Sequence, residues 1–122
     1  MGLKMPNKSK QKGNRFERQI VQMCTEKDIP SKRAWGSNGM SLGLPEEVDV
    51  LIDSEIRVQA KVRKAMGAWM LPSPEVDIQV IKRDRGETLS VKRFSDELND
   101  IAMIRDLKIR IKELEGELEK RV

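Results

Sequence analysis

The strongest constraint on this chain is a pair of period-two alternations joined by a short polar link. Val48, Val50 and Ile52 alternate with Asp49, Leu51 and Asp53, and Ile56, Val58, Ala60 and Val62 alternate with Arg57, Gln59, Lys61 and Arg63. Successive side chains of a strand point to opposite faces, so each run predicts a strand with one buried face. Asp53, Ser54 and Glu55 lie between them as a hairpin loop. A slip of one residue would turn one strand's apolar set toward water, so both sets must share a face. Pairing Ile52 with Ile56 and Val50 with Val58 meets that demand. The same register sets Asp49 opposite Gln59, with Lys61 one step further along the same face.

The flanking segments read less strictly. Residues 1–14 are rich in Lys, Gly, Asn and Ser with little to bury, and predict a flexible basic arm. A helix is expected over 15–28, with Asn14 as N-cap and Pro30 just beyond its end. Phe16, Ile20 and Met23 form its apolar stripe, and Glu17 shares a face with Val21 and Cys24, at the edge of that stripe. Residues 31–47 read as an irregular loop. A second hairpin is expected from Val76, Ile78 and Val80, a turn at Arg83–Gly86, and Leu89 and Val91. Ser95 is the expected N-cap of a final helix, with Asp96 and Glu97 in its first turn, where acidic residues suit the helix dipole. Ile104, Leu107, Ile111, Leu114 and Leu118 then form an a/d heptad seam. Such a seam either packs on its own domain or makes a dimer contact.

Composition excludes several chemistries. The chain has no His and no Tyr, so a site must be built from carboxylates, amides, hydroxyls and cations, with an oxygen-loving ion such as Mg²⁺. The lone Cys24 forms no internal disulfide, and a reducing, cytoplasmic setting is expected. No apolar run nears the ~18 residues of a membrane span, so no membrane partner is expected. The Lys-rich start has no apolar stretch behind it and does not read as a signal peptide. The net charge of +4 conceals an asymmetry: residues 1–94 carry 18 Lys+Arg against 12 Asp+Glu, whereas 95–122 carry 6 against 8. The basic body suits a nucleic-acid partner.

Asp49, Gln59 and Lys61 on one sheet face, with Glu17 from the preceding helix, are the kind of set that metal-dependent phosphodiester cleavage uses. Carboxylates hold the ion, the ion polarises the phosphate and acidifies a water, and a lysine steadies developing charge. Along the chain, Lys12-Gly13 precedes Phe16-Glu17-Arg18. Arg33 and a Gly36-Ser37 loop follow, then Glu47-Val48-Asp49-Val50, then Val58-Gln59-Ala60-Lys61-Val62-Arg63-Lys64. In this order and context the sequence resembles the PD-(D/E)XK nuclease superfamily, in particular the archaeal-type Holliday junction resolvases and their phage relatives. The resemblance covers about residues 10–65, fits the second hairpin more loosely, and has no counterpart for the final heptads.

The resemblance implies an α/β fold: a restriction-endonuclease-like core with a mixed central sheet flanked by helices, over residues 15–94, and a C-terminal helical extension over 95–122. It implies a Mg²⁺-dependent endodeoxyribonuclease, with Mn²⁺ as a substitute ion, that resolves four-way junctions in recombination and repair as a homodimer. Glu17 would be the supporting carboxylate, Asp49 the central metal ligand, Lys61 the catalytic lysine, and Ala60 would lend its carbonyl to the metal. Ser37 would belong to the active-site loop. Lys12, Arg18, Arg33, Arg63 and Lys64 would meet DNA. Gln59 stands where the family usually has Glu; it keeps an oxygen for Mg²⁺ but loses a charge. The alternatives are a same-fold nuclease acting on flaps, nicks or forks, and a DNA-binding module disabled by Gln59.

Overall fold

A computed structural model describes residues 8–121, with the Ser37 side chain outside what is described. The first half of the expected basic arm, residues 1–7, also lies outside the described residues. The element order is α1 (Lys8–Glu26), β1 (Ser31–Arg33), β2 (Val50–Ile52), β3 (Ile56–Val58), β4 (Ile78–Lys82), β5 (Thr88–Lys92) and α2 (Phe94–Lys120). The chain divides into two compact units, residues 1–64 and 65–122, and the boundary falls inside the stretch that the family resemblance treats as one core.

In the first unit, β1, β2 and β3 form an antiparallel sheet in that order, and α1 packs on β1 and β2. The β2–β3 register is Val50↔Val58 and Ile52↔Ile56, the one that the alternation predicts. Its loop uses Asp53 (φ 52°) and Ser54 (φ 58°) in the left-handed region, closed by the Glu55 N–H donating to the Ile52 carbonyl at 3.1 Å. Two positive φ values in succession give the primed turn whose twist suits a hairpin. Ile20, Cys24, Ile29, Ala34, Val48, Val50 and Ile52 are buried.

Three expectations for this unit are corrected. α1 begins at Lys8, so residues 8–14 are helical and Asn14 lies inside the helix instead of capping it. Lys and Gln are good helix formers, and they carry the helix through Gly13 without any apolar stripe to signal it. The helix ends in a Schellman motif: Ile29 N–H bonds the Cys24 carbonyl at 2.9 Å and Asp28 N–H the Thr25 carbonyl at 3.0 Å, with Asp28 at φ 57° where glycine is usual. Next, the expected loop opens with a strand. Ser31, Lys32 and Arg33 pair with Ile52, Leu51 and Val50, and a polar triplet gives no alternation to read. The chain then makes two short 3-10 turns, Trp35–Ser37 and Gly39–Leu42. Gly39 is required there, since a Cβ would meet the Pro45 carbonyl oxygen at 2.0 Å.

The second unit holds the β4–β5 hairpin, paired from Ile78↔Lys92 to Lys82↔Thr88, and α2. The helix starts at Phe94, two residues after β5 ends, with Arg93 at the N-cap position in place of Ser95. Arg93 instead donates to the Val76 and Ser73 carbonyls at 2.9 and 2.8 Å, tying the hairpin's approach to the helix start. Among the described residues the structure is therefore mixed α/β with two small antiparallel sheets, not one mixed central sheet. Parallel pairing needs a long crossover, and each of these sheets is built from antiparallel neighbours. No helix among the described residues is long and apolar enough to cross a membrane.

Candidate functional site

Two charged residues are buried among those described, Glu17 (4% exposed) and Asp49 (8% exposed), and both belong to the first unit. Burying a carboxylate is costly unless something answers its charge, so these two residues mark the place to look.

Asp49 stands immediately before β2. Its backbone N–H donates to the Val58 carbonyl at 2.8 Å, one residue short of the hairpin's register, while its carbonyl accepts from Ala34 in step with β1. That offset is the signature of a bulge. Asp49 is therefore not squarely opposite Gln59, as a continuous ladder would have it. Instead its side chain takes over: Oδ2 accepts the Ala60 backbone N–H at 2.7 Å. The ladder stops at Val58, and residues 59–63 leave the sheet although they keep their alternation. No Lys or Arg forms an ion pair with Asp49 among the described residues.

Glu17 faces inward from α1, where Arg33 at the end of β1 meets its Oε1 at 3.5 Å. The same guanidinium nitrogen reaches Asn14 Oδ1 at 3.5 Å, and the Arg33 Nε is buried without an acceptor. Arg33, expected as a phosphate contact, is thus engaged with Glu17. Asn14, read as a cap, is a partner of that pair.

A groove of about 340 Å³ runs between the first turns of α1 and the segment after β3, lined by Ser9, Lys12 and Gly13 on one side and residues 60–64 on the other. Among the described residues its walls hold four cations, Lys12, Lys61, Arg63 and Lys64, and no carboxylate. Ser9, Lys12 and Gly13 share a helix face by their i, i+3, i+4 spacing. Ser9 is not legible as a site residue because the start of α1 is not legible as helix. Ala60, the groove residue tied to Asp49, links the buried carboxylate to the basic wall.

Of the residues singled out from the sequence, Lys12, Ala60, Lys61, Arg63 and Lys64 come together in the groove, Asp49 is bonded to its wall, and Glu17 and Arg33 form a pair. Gln59 and Arg18 are exposed and line no part of the groove. Ser37 lies in the Trp35–Ser37 turn. Among the described residues no three His, Cys, Asp or Glu side chains converge as a metal-binding group. Comparison with protein-family models, with curated proteins and with solved structures returns no match.

Proposed function

We propose that the chain is a Mg²⁺-dependent, structure-selective DNA endonuclease with a restriction-endonuclease-like core, and that it cuts four-way junctions as a homodimer. The observation that carries this reading is the groove of Lys12, Lys61, Arg63 and Lys64 whose wall residue Ala60 is held by the buried Asp49. Four cations without a carboxylate suit a run of phosphates, which gives affinity without base reading. A buried carboxylate that accepts a backbone N–H and forms no ion pair among the described residues suits a divalent cation. Asp49 and Glu17 would hold the ion, with the Gln59 amide oxygen, the Ala60 carbonyl and water completing an oxygen shell. The ion's contribution would be to polarise a phosphate and acidify a water. Lys61 would meet the charge that develops on the phosphate. Cutting two strands of a junction symmetrically calls for two sites related by a two-fold axis.

A second reading draws on the Glu17–Arg33 pair and the exposed Gln59. Both subtract from the negative charge available to a metal, and they favour a DNA-binding module that does not cut. One experiment separates the readings. Wild type and Lys61→Ala are compared on a four-way junction, a flap and a plain duplex with Mg²⁺, and binding is followed against salt. The nuclease reading expects junction cleavage by wild type only, with affinity falling steeply as salt rises. Salt-dependent binding without cleavage of any substrate would establish the binding module. Binding that ignores salt would sink both.

A further inference from the structure

Helix α2 carries two apolar stripes, and the fold uses one of them. Leu98 and Ile101 are buried, and Ala102 and Arg105 beside them are half-buried. At 3.6 residues per turn, Ile104, Leu107, Ile111, Leu114 and Leu118 centre roughly 150° away from that stripe. Their exposures are 52, 55, 53, 42 and 62%. Among the described residues the heptad seam is thus left uncovered, and a continuous apolar stripe of this kind marks an interaction surface.

Its residue choice says what covers it. In heptad terms Ile104, Ile111 and Leu118 take position a, and Leu107 and Leu114 take position d. Among parallel coiled coils, a β-branched residue at a, as at Ile104 and Ile111, with Leu at d favours two strands. A second copy laid in register matches all five apolar layers with themselves. An antiparallel copy that keeps Ile111 against Leu114 sets Ile104 against Arg121. The flanks agree with the parallel arrangement: Arg110 at g faces Glu115 at e of the partner, an attraction repeated by symmetry. In the single chain Arg110 reaches Glu113 at 3.2 Å, so it is already held on the flank of the seam. We infer that residues 104–118 of α2 form a parallel two-stranded coiled coil with the same segment of a second copy of this chain. The seam is about 22 Å long at 1.5 Å per residue, so the dimer is reversible. The inference stands whether or not the chain cuts DNA.

Sedimentation equilibrium of the full chain over a concentration series tests it. Wild type is expected to pass from monomer to dimer as concentration rises, and Leu107→Asp/Leu114→Asp to stay monomeric throughout. Both leucines are exposed, so the double variant keeps the packing of Leu98 and Ile101. Ile109→Asp makes the same chemical change at a residue 46% exposed and off the seam, and is expected to dimerise like wild type. Orientation is read by oxidising the Leu114→Cys variant. A parallel pair gives a disulfide-linked dimer, and the fully buried Cys24 does not compete. A wild type that stays monomeric, a double variant that still dimerises, or Leu114→Cys dimers that do not cross-link on oxidation would overturn the inference.

Discussion

The Asp49 carboxylate has two separable duties, one in the fold and one proposed for chemistry, and a pair of substitutions divides them. Asp49 Oδ2 accepts the Ala60 N–H at 2.7 Å, with Asp49 buried and Ala60 half-buried. A hydrogen bond to an ionised acceptor contributes about 1.5–3 kcal/mol. Partial exposure of Ala60 lowers that, so Asp49→Ala is expected to cost about 1–2 kcal/mol. For a unit of this size that is a fall of about 5–15 °C in Tm. Asp49→Asn keeps an oxygen for the Ala60 N–H and removes a buried charge that forms no ion pair among the described residues, so its stability in chelator should stay within about 1 kcal/mol of wild type. The proposed chemistry treats both variants alike, and neither should cut a four-way junction. Mg²⁺ provides the linkage. An ion bound only by the folded state at a hundred times its Kd adds about 2.7 kcal/mol; wild type should gain that and Asp49→Asn should not. Thermal unfolding by circular dichroism with Mg²⁺ and with chelator, run beside the cleavage assay, measures every arm. Asp49→Asn that cuts like wild type, or that gains as much as wild type from Mg²⁺, would refute the metal role. Asp49→Ala as stable as wild type would refute the structural one.

Two further predictions concern the fold. Asp28 holds a left-handed conformation at φ 57° in the Schellman motif that ends α1, and its backbone bond to the Thr25 carbonyl does not depend on the side chain; Asp28→Gly should therefore stabilise by about 0.5–1 kcal/mol in urea unfolding, and a loss of stability would mean that the aspartate side chain has its own role. Burial pushes the Cys24 thiol above its ordinary 9.0, and contacts with Asp100 and Glu97 push half-buried Lys92 above its ordinary 10.5. In both cases the folded state holds its proton more tightly than the unfolded chain, so the stabilisation is full below those ordinary values and is lost as pH climbs through the raised ones. Urea midpoints should hold level up to about pH 9 and decline beyond it. Cys24→Ala should flatten the first part of that decline, and an unchanged slope would show that burial of the thiol is not its cause.

The parts of this molecule that a reader of the sequence can see are those where neighbouring residues carry the signal. Val50, Ile52, Ile56 and Val58 announce the hairpin and its register because alternation is local and only one register buries both sets. The heptads of α2 are legible for the same reason. β1 is not, because Ser31, Lys32 and Arg33 are strand only through pairing with β2, a contact made across a long connection. The start of α1 is hidden because Lys8 to Asn14 form helix without burying a stripe. In the site, residue types are legible and partners are not. Glu17 can be placed at a buried edge, but its pairing with Arg33 depends on β1. Asp49 and Ala60 can be placed on adjacent strands, but the bulge that lets the side chain replace a ladder partner has no sequence signature here.

That replacement also shapes the edge of the sheet. β3 is an edge of its sheet, and an edge with free backbone groups invites pairing with the edge of another molecule. Residues 56–62 alternate well enough to have made a long edge. By capturing the Ala60 N–H, the Asp49 carboxylate ends the strand at Val58 and leaves an edge only three residues long. Short edges are poor templates for cross-β growth. One buried aspartate thus leaves this edge of the first unit's sheet a poor template for fibrous self-association.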